Sequence, residues 1–231
     1  MKTIGLLGGM SWESTQTYYR LLNEQVKARL GGLHSAKIVL YSVDFAEIEA
    51  LQRSGEWDRA GATLALAALA LERAGADFLV IGTNTMHKVA TEVEAAIGIP
   101  LLHIADATAK VLHQDGIRKV GLLGTRFTME QAFYRERLEA AGIEVVIPEP
   151  AERDMVHRVI FEELCLGIIE PSSRQAYLEV VDGFARQGAE AVVLGCTEVG
   201  LLVQQAQTTV RLYDTTAIHA AQAVDWALRP D

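Results

Sequence analysis

One pattern recurs in this chain and limits its fold more than any other. A short apolar run ends on glycine, enters a polar turn, and then does so again in a second half. Ile4-Gly5-Leu6-Leu7-Gly8 returns as Val120-Gly121-Leu122-Leu123-Gly124. Ala74-Gly75-Ala76-Asp77 returns as Gln187-Gly188-Ala189-Glu190, and the run behind it, Val80-Ile81-Gly82-Thr83-Asn84-Thr85, returns as Val193-Leu194-Gly195-Cys196-Thr197-Glu198. Ala105-Asp106-Ala107-Thr108 has a counterpart in Tyr213-Asp214-Thr215-Thr216, and Tyr18 has one in Tyr134. Blocks matched in one order at nearly constant separation mark an internal duplication.

Between these blocks, β-branched runs alternate with helical periods. Strands are expected at residues 3–7, 37–42, 78–81, 101–104 and 191–194. Helices are expected at 14–30, 57–74, 88–96 and 108–115; Tyr18, Leu21, Leu22, Val26 and Leu30 form one stripe of the first, and Gly75 stops the second. Strand–helix alternation at this spacing argues for an α/β fold with parallel sheets. The expected architecture is two similar α/β lobes, each a parallel sheet flanked by helices, related by pseudo-two-fold symmetry with the active site between them. The first lobe is expected to span 1–105, joined by 210–231, and the second 106–209. Ligands of open parallel sheets bind outside the carboxyl ends of the strands. In a symmetric pair Thr83 and Cys196, equivalent positions just past a strand, would face each other.

Composition removes whole classes. Half of the 231 residues are hydrophobic and only five are proline, which excludes a disordered chain. The formal charge of −9 offers no general basic field for nucleic acid or an anionic membrane surface. Two cysteines cannot build a disulfide framework or a cysteine-rich metal site. The six histidines show no HExxH or other paired spacing, so no metal is expected. The short apolar start is broken by Gly8 and Gly9 and lacks the form of a secretion signal, which leaves the cytoplasm as the expected location.

The chemistry then rests on single residues. Cys196 sits at a strand-to-helix turn, where free backbone N–H groups favour a thiolate. The bland alternative is a small buried hydrophobe, which is the expectation for Cys165 in its helical window. Gly8-Gly9-Met10-Ser11 and Gly124-Thr125 open helices after strands and can offer donors to a carboxylate. Neither is GxGxxG or a P-loop. His87, one helical turn after Thr83 and so on the side of the cleft, and His219, five residues after Asp214, are both expected to be satisfied structural histidines. No lysine stands in a recognisable Schiff-base context.

Taken together, Gly5-Leu6-Leu7-Gly8-Gly9-Met10, Thr83-Asn84-Thr85-Met86-His87, Gly124-Thr125, Glu162-Glu163, Gly195-Cys196-Thr197-Glu198 and Asp214-Thr215 with His219 give a chain that resembles the cofactor-independent aspartate/glutamate racemase family. The resemblance covers essentially the whole length. It implies racemisation of a free amino acid without cofactor, by two residues that flank the α-carbon. Family members usually carry cysteine at both places; here the first is Thr83. A thiol ionises partly near neutral pH, with an ordinary pKa of ~8.5, whereas an aliphatic hydroxyl does not. A hydroxyl can still hand a proton to a carbanion. Cys196 is therefore expected to be the base, acting on the L enantiomer, and Thr83 the opposite-face proton donor. The L to D direction is favoured in rate, while the equilibrium constant stays at unity.

The same resemblance places Met10, Asn84, Thr85, Thr125, Thr197 and Glu198 near the substrate, together with Gln52. Beside it, Arg53 is the expected cation for a side-chain carboxylate. Many aspartate-specific relatives carry lysine two places after the Glu-Glu pair; Cys165 stands there, which leaves room for neutral substrates. Two other readings remain at this point: a one-cysteine decarboxylase of the same superfamily, and a silent amino-acid-binding module. The expected partners are an amino acid and a second copy of the chain in a homodimer, with no nucleic acid and no membrane.

Overall fold

The computed structural model describes residues 1–229. The chain folds into two compact units, one comprising Met1–Ile104 and the segment from His219 on, the other Ala105–Ile218.

The first unit runs β1 (Ile4–Gly8), α1 (Trp12–Leu30), β2 (Ile38–Ser42), α2 (Phe45–Ser54), α3 (Trp57–Arg73), β3 (Phe78–Ile81), a 3-10 turn at Thr85–Val89 and α4 (Ala90–Ala96). Its sheet is parallel, in the order β2-β1-β3, with Ile4 opposite both Ile38 and Phe78. β1 and β3 are buried along their whole length, which is why both read as unbroken apolar runs rather than alternating ones. Leu64, Ala67, Ala68 and Leu71 of α3 pack onto Leu7, Leu79 and Ile81 in one cluster. The helix α2 is absent from the sequence expectations. Its signals are Asp44, whose carboxylate accepts from Ala46 N at 3.1 Å, and the apolar spacing Ile48 to Leu51.

The strand expected at 101–104 shrinks to a single bridge. Leu79 N–H donates to Pro100 O and Leu102 N–H to Leu79 O, both at 2.9 Å, but α5 takes over at Ile104. Proline offers no N–H of its own, and the following helix claims the rest of the segment.

The second unit runs α5 (Ile104–Gln114), β4 (Lys119–Gly124), α6 (Arg126–Glu130), α7 (Ala132–Ala140), β5 (Glu144–Val146), α8 (Pro150–Glu162), α9 (Pro171–Arg186), β6 (Ala191–Gly195), α10 (Val199–Leu202), β7 (Arg211–Asp214) and the first turn of α11 (Thr215–Leu228), whose remainder belongs to the first unit. Its parallel sheet has the order β5-β4-β6-β7. That is the first sheet's order with the Leu101 bridge grown into a strand, so the repeat read from sequence is a repeat of topology. Gly121 on β4 is required by a close approach: a Cβ there would lie 2.3 Å from Cγ of Phe184.

Two boundaries differ from expectation. The return of the chain to the first unit does not begin near 210, because β7 pairs with β6, Ala191 opposite Arg211. It begins within α11, where His219 bonds Tyr18 and the carbonyl of Leu102, and Ala227 O accepts from Lys2 N–H. Nor does Cys165 lie in a regular helix. α8 ends at Glu162, and Cys165 occupies a 3-10 turn, Leu164–Leu166, closed by Gly167 in the left-handed region at φ 73°. Among the described residues no helix is long and apolar enough to cross a membrane.

Candidate active site

The candidate residues collect at the carboxyl ends of the central strands of each unit. In the first, β1 runs into Gly8-Gly9-Met10. Gly9 stands at φ 89°, and a Cβ there would lie 2.2 Å from Val43 O, so no other residue fits this turn. Gly9 N–H donates to Thr15 Oγ1 at 2.7 Å, and Ser11 caps α1. The adjacent strand, β3, runs into Gly82-Thr83-Asn84. Gly82 N–H donates to Leu7 O at 2.8 Å and Gly82 O accepts from Ser14 Oγ at 3.0 Å, which ties this turn to the β1 loop. Thr83, Asn84, Thr85 and Met10 are all buried. Gln52 is buried as well, and its Nε2 lies 2.9 Å from Met86 Sδ, so α2 is joined to the same turn.

Arg53 is not brought in. Its side chain is 76% exposed and leans toward Glu49 at 3.7 Å, one helical turn back. Adjacent residues of a helix point about 100° apart, so burying Gln52 turns Arg53 outward. The sequence expectation named Arg53 as the cation for a substrate carboxylate; here its side chain stands in solvent beside Glu49.

In the second unit β4 ends at Gly124 and β6 at Gly195, paired side by side. Thr125 caps α6, accepting from Thr128 N–H at 3.3 Å, and is buried. The β6 turn places Cys196, Thr197 and Glu198 in the interior, each less than a tenth exposed. Cys196 Sγ–H donates to Glu198 Oε2 at 3.1 Å, and Thr197 Oγ1 donates to the same oxygen. Burial pushes the Cys196 thiol well above its ordinary range, and the Glu198 carboxylate adds to that push. The expectation that the turn's N–H groups favour a thiolate is therefore not met: the thiol is shifted the other way. Desolvation and a neighbouring negative charge outweigh the backbone contribution. What the sequence did not reveal is that Glu198 is the thiol's partner; its only signal was its place in the repeated turn. Cys165 is partly buried against the cluster that contains Cys196, in keeping with a packing role.

Three histidines lie close together in the first unit. The rings of His87 and His103 are 4.4 Å apart and those of His87 and His219 5.9 Å. His219 Nδ1 accepts from Tyr18 Oη at 2.8 Å while its Nε2–H donates to Leu102 O at 2.8 Å. Burial holds its pKa down at about 4, so the ring is neutral. Among the described residues no group of three or more His, Cys, Asp or Glu side chains is placed to hold a metal ion.

The chain as a whole is similar to known proteins. The family model for Asp/Glu/Hydantoin racemase matches residues 7–223. The crystal structure of a putative Asp/Glu racemase from Yersinia pestis is 59% identical, with a TM-score of 0.92 over 99% of this chain and 100% of that one. An aspartate racemase homologue from Pyrococcus horikoshii OT3 is 35% identical, with a TM-score of 0.87 over 99% of this chain and 100% of that one. The broad specificity amino-acid racemase RacX of Bacillus subtilis (strain 168) is 24% identical over 230 residues, 96% of either chain. With the repeated sheets, the Thr83 and Cys196 turns and a match across nearly the whole length, the chain belongs to the Asp/Glu/hydantoin racemase family.

Proposed function

We propose that this chain racemises a free amino acid of the aspartate/glutamate class without a cofactor, with Cys196 as the base and Thr83 as the proton donor. The observation that carries the reading is the Cys196–Glu198 pair: a buried thiol whose hydrogen already points at a carboxylate 3.1 Å away. Cys196 passes that proton to Glu198 Oε2. The resulting thiolate removes the α-proton of the L substrate, and the Thr83 hydroxyl returns a proton to the opposite face. Cys196 keeps the α-proton and is a thiol again; water reprotonates Thr83, and the hydroxide so formed takes the proton from Glu198, which returns all three groups to their starting state. A substrate ammonium beside the pair offsets the carboxylate's charge and lowers the cost of forming the thiolate. The exposed position of Arg53 removes one cation for a side-chain carboxylate, so the substrate range extends to neutral amino acids.

The test is an α-proton exchange screen in deuterated water with both enantiomers of aspartate, glutamate and neutral amino acids and no added cofactor. Exchange with inversion supports the reading. Release of carbon dioxide from an arylmalonate without amino-acid exchange refutes it. Binding of an amino acid without any exchange also refutes it.

We further propose that two copies associate through the β2 edge of the first unit. Trp12, Tyr19 and Leu30 form one stripe of α1; Leu33 lies in the turn that follows, and Leu40 and Tyr41 lie on β2; all six are exposed. Asn23 of the same stripe accepts from Ala36 N–H at 3.0 Å, which puts the stripe on the β2 side. β2 pairs with β1 alone, so its outer edge is open, a feature proteins normally cover. A dimer by sedimentation that becomes a monomer in Tyr19→Glu/Tyr41→Glu supports this. A monomeric parent protein refutes it.

A further inference from the structure

The first candidate residue, Thr83, is held from behind by a side chain to which the mechanism above gives no part. Thr83 N–H donates to Ile81 O at 2.9 Å. Its carbonyl accepts from Nδ1 of His87, one turn on, at 2.7 Å. Because the acceptor is a carbonyl, Nδ1 must carry the proton. Nε2 then keeps its lone pair, and it accepts Ile104 N–H at 3.2 Å. Both ring nitrogens are thereby engaged by backbone in the neutral form. The ring is 2% exposed and lies against His103 and His219. His219 is fixed in turn by Tyr18 and by the carbonyl of Leu102, two residues before Ile104. With its N–H and its C=O both tied, Thr83 has its two flanking peptide planes set. Only χ1 remains to place the hydroxyl.

We propose that His87 is the positioning residue of Thr83, and that its Nδ1–H bond to the Thr83 carbonyl sets which face of the substrate receives the proton. This rests on the racemase reading above. Cys196, in the other unit, does not depend on the His87 bond. Loss of the bond therefore leaves removal of the α-proton from the L enantiomer intact and impairs its return on the opposite face. The Cys196 thiol exchanges its hydrogen with the deuterated solvent and then quenches the carbanion on the face from which it took the proton, which gives deuterated L substrate in place of D product.

The experiment follows an L substrate in deuterated water and measures D product against deuterated L in the parent protein, His87→Asn, His87→Gln and His87→Leu. Asparagine offers an N–H near the Nδ1 position and glutamine does not. His87→Asn should keep the ratio within about twofold of the parent, and His87→Gln and His87→Leu should lower it at least ~10-fold with exchange at L retained, since small misplacements at a reacting group cost on this order or more. If His87→Leu does not fold, the Asn and Gln variants decide alone. The proposal is overturned if the ratio is unchanged in all variants, if exchange and inversion fall together, or if Gln rescues as well as Asn. A parent protein that exchanges no α-proton overturns the racemase reading instead, and is recognised before any variant is made.

Discussion

Replacing Glu198 with glutamine separates two roles of one carboxylate. Glu198 Oε2 lies 3.1 Å from Cys196 Sγ and accepts its proton, and its charge helps hold the thiol protonated. At an effective dielectric of about 20, two unit charges near 4 Å repel by about 4 kcal/mol. The hydrogen bond from thiol to carboxylate adds about 1.5–3 kcal/mol in favour of the protonated form. Glutamine removes the charge and keeps the shape. Burial, the larger cause of the upward shift, stays in place. Even a third of the Coulomb figure, about 1.4 kcal/mol, raises the thiolate fraction tenfold. Alkylation of Cys196 by iodoacetamide at fixed pH should therefore accelerate at least ~10-fold in Glu198→Gln, and its pH profile should move to lower pH. Racemisation should fall by about 100-fold or more, the usual contribution of a positioned proton acceptor, because glutamine cannot take the thiol proton. Labelling in a Cys165→Ala background assigns the signal to Cys196. Unchanged or slower alkylation would refute the electrostatic argument, and unchanged racemisation the proton transfer.

Two further outcomes are expected. His219 is neutral and buried with a pKa near 4, below its ordinary value of about 6.5, so the unfolded chain takes up its proton first as pH falls. Its contribution to stability is present above pH ~6.5 and drains away between there and ~4, by about 3 kcal/mol in all; urea midpoints should show this slope in the parent protein and lose most of it in His219→Gln. Arg53→Ala should change KM for aspartate and glutamate less than ~2-fold and stability by under ~0.5 kcal/mol, as for other exposed single ion pairs; steady-state kinetics and thermal unfolding measure both.

The fold was legible where local pattern and burial agree. The glycine-ended runs are β1, β3, β4 and β6, and their near-complete burial is what made them recur. Legibility failed at edges. Leu101–Ile104 has a strand's residues, but the helix that follows claims its end. β7 stays with the second sheet because ladder pairing with β6 outranks its likeness to the Leu101 segment. For the site, the turns at Thr83 and Cys196 were visible because glycine and small polar residues have few other uses after a buried strand. The state of the Cys196 thiol was not. It depends on how deeply the sulfur is buried and on the direction of the Glu198 side chain, and spacing encodes neither. Arg53 shows the converse: a charge in the right region of sequence, turned outward by the packing of its neighbour Gln52.

The central claim is that one thiol, not two, does the proton abstraction. Its most direct test is the initial rate of α-proton loss in deuterated water from enantiopure L- and D-substrate, measured side by side on the parent protein. The expected result is loss from L at least ~10-fold faster than from D, with the L rate abolished in Cys196→Ser and the D rate raised in Thr83→Cys; a proton donor that is a poor base implies this difference. Equal rates from the two enantiomers, or exchange at L that persists in Cys196→Ser, would contradict it.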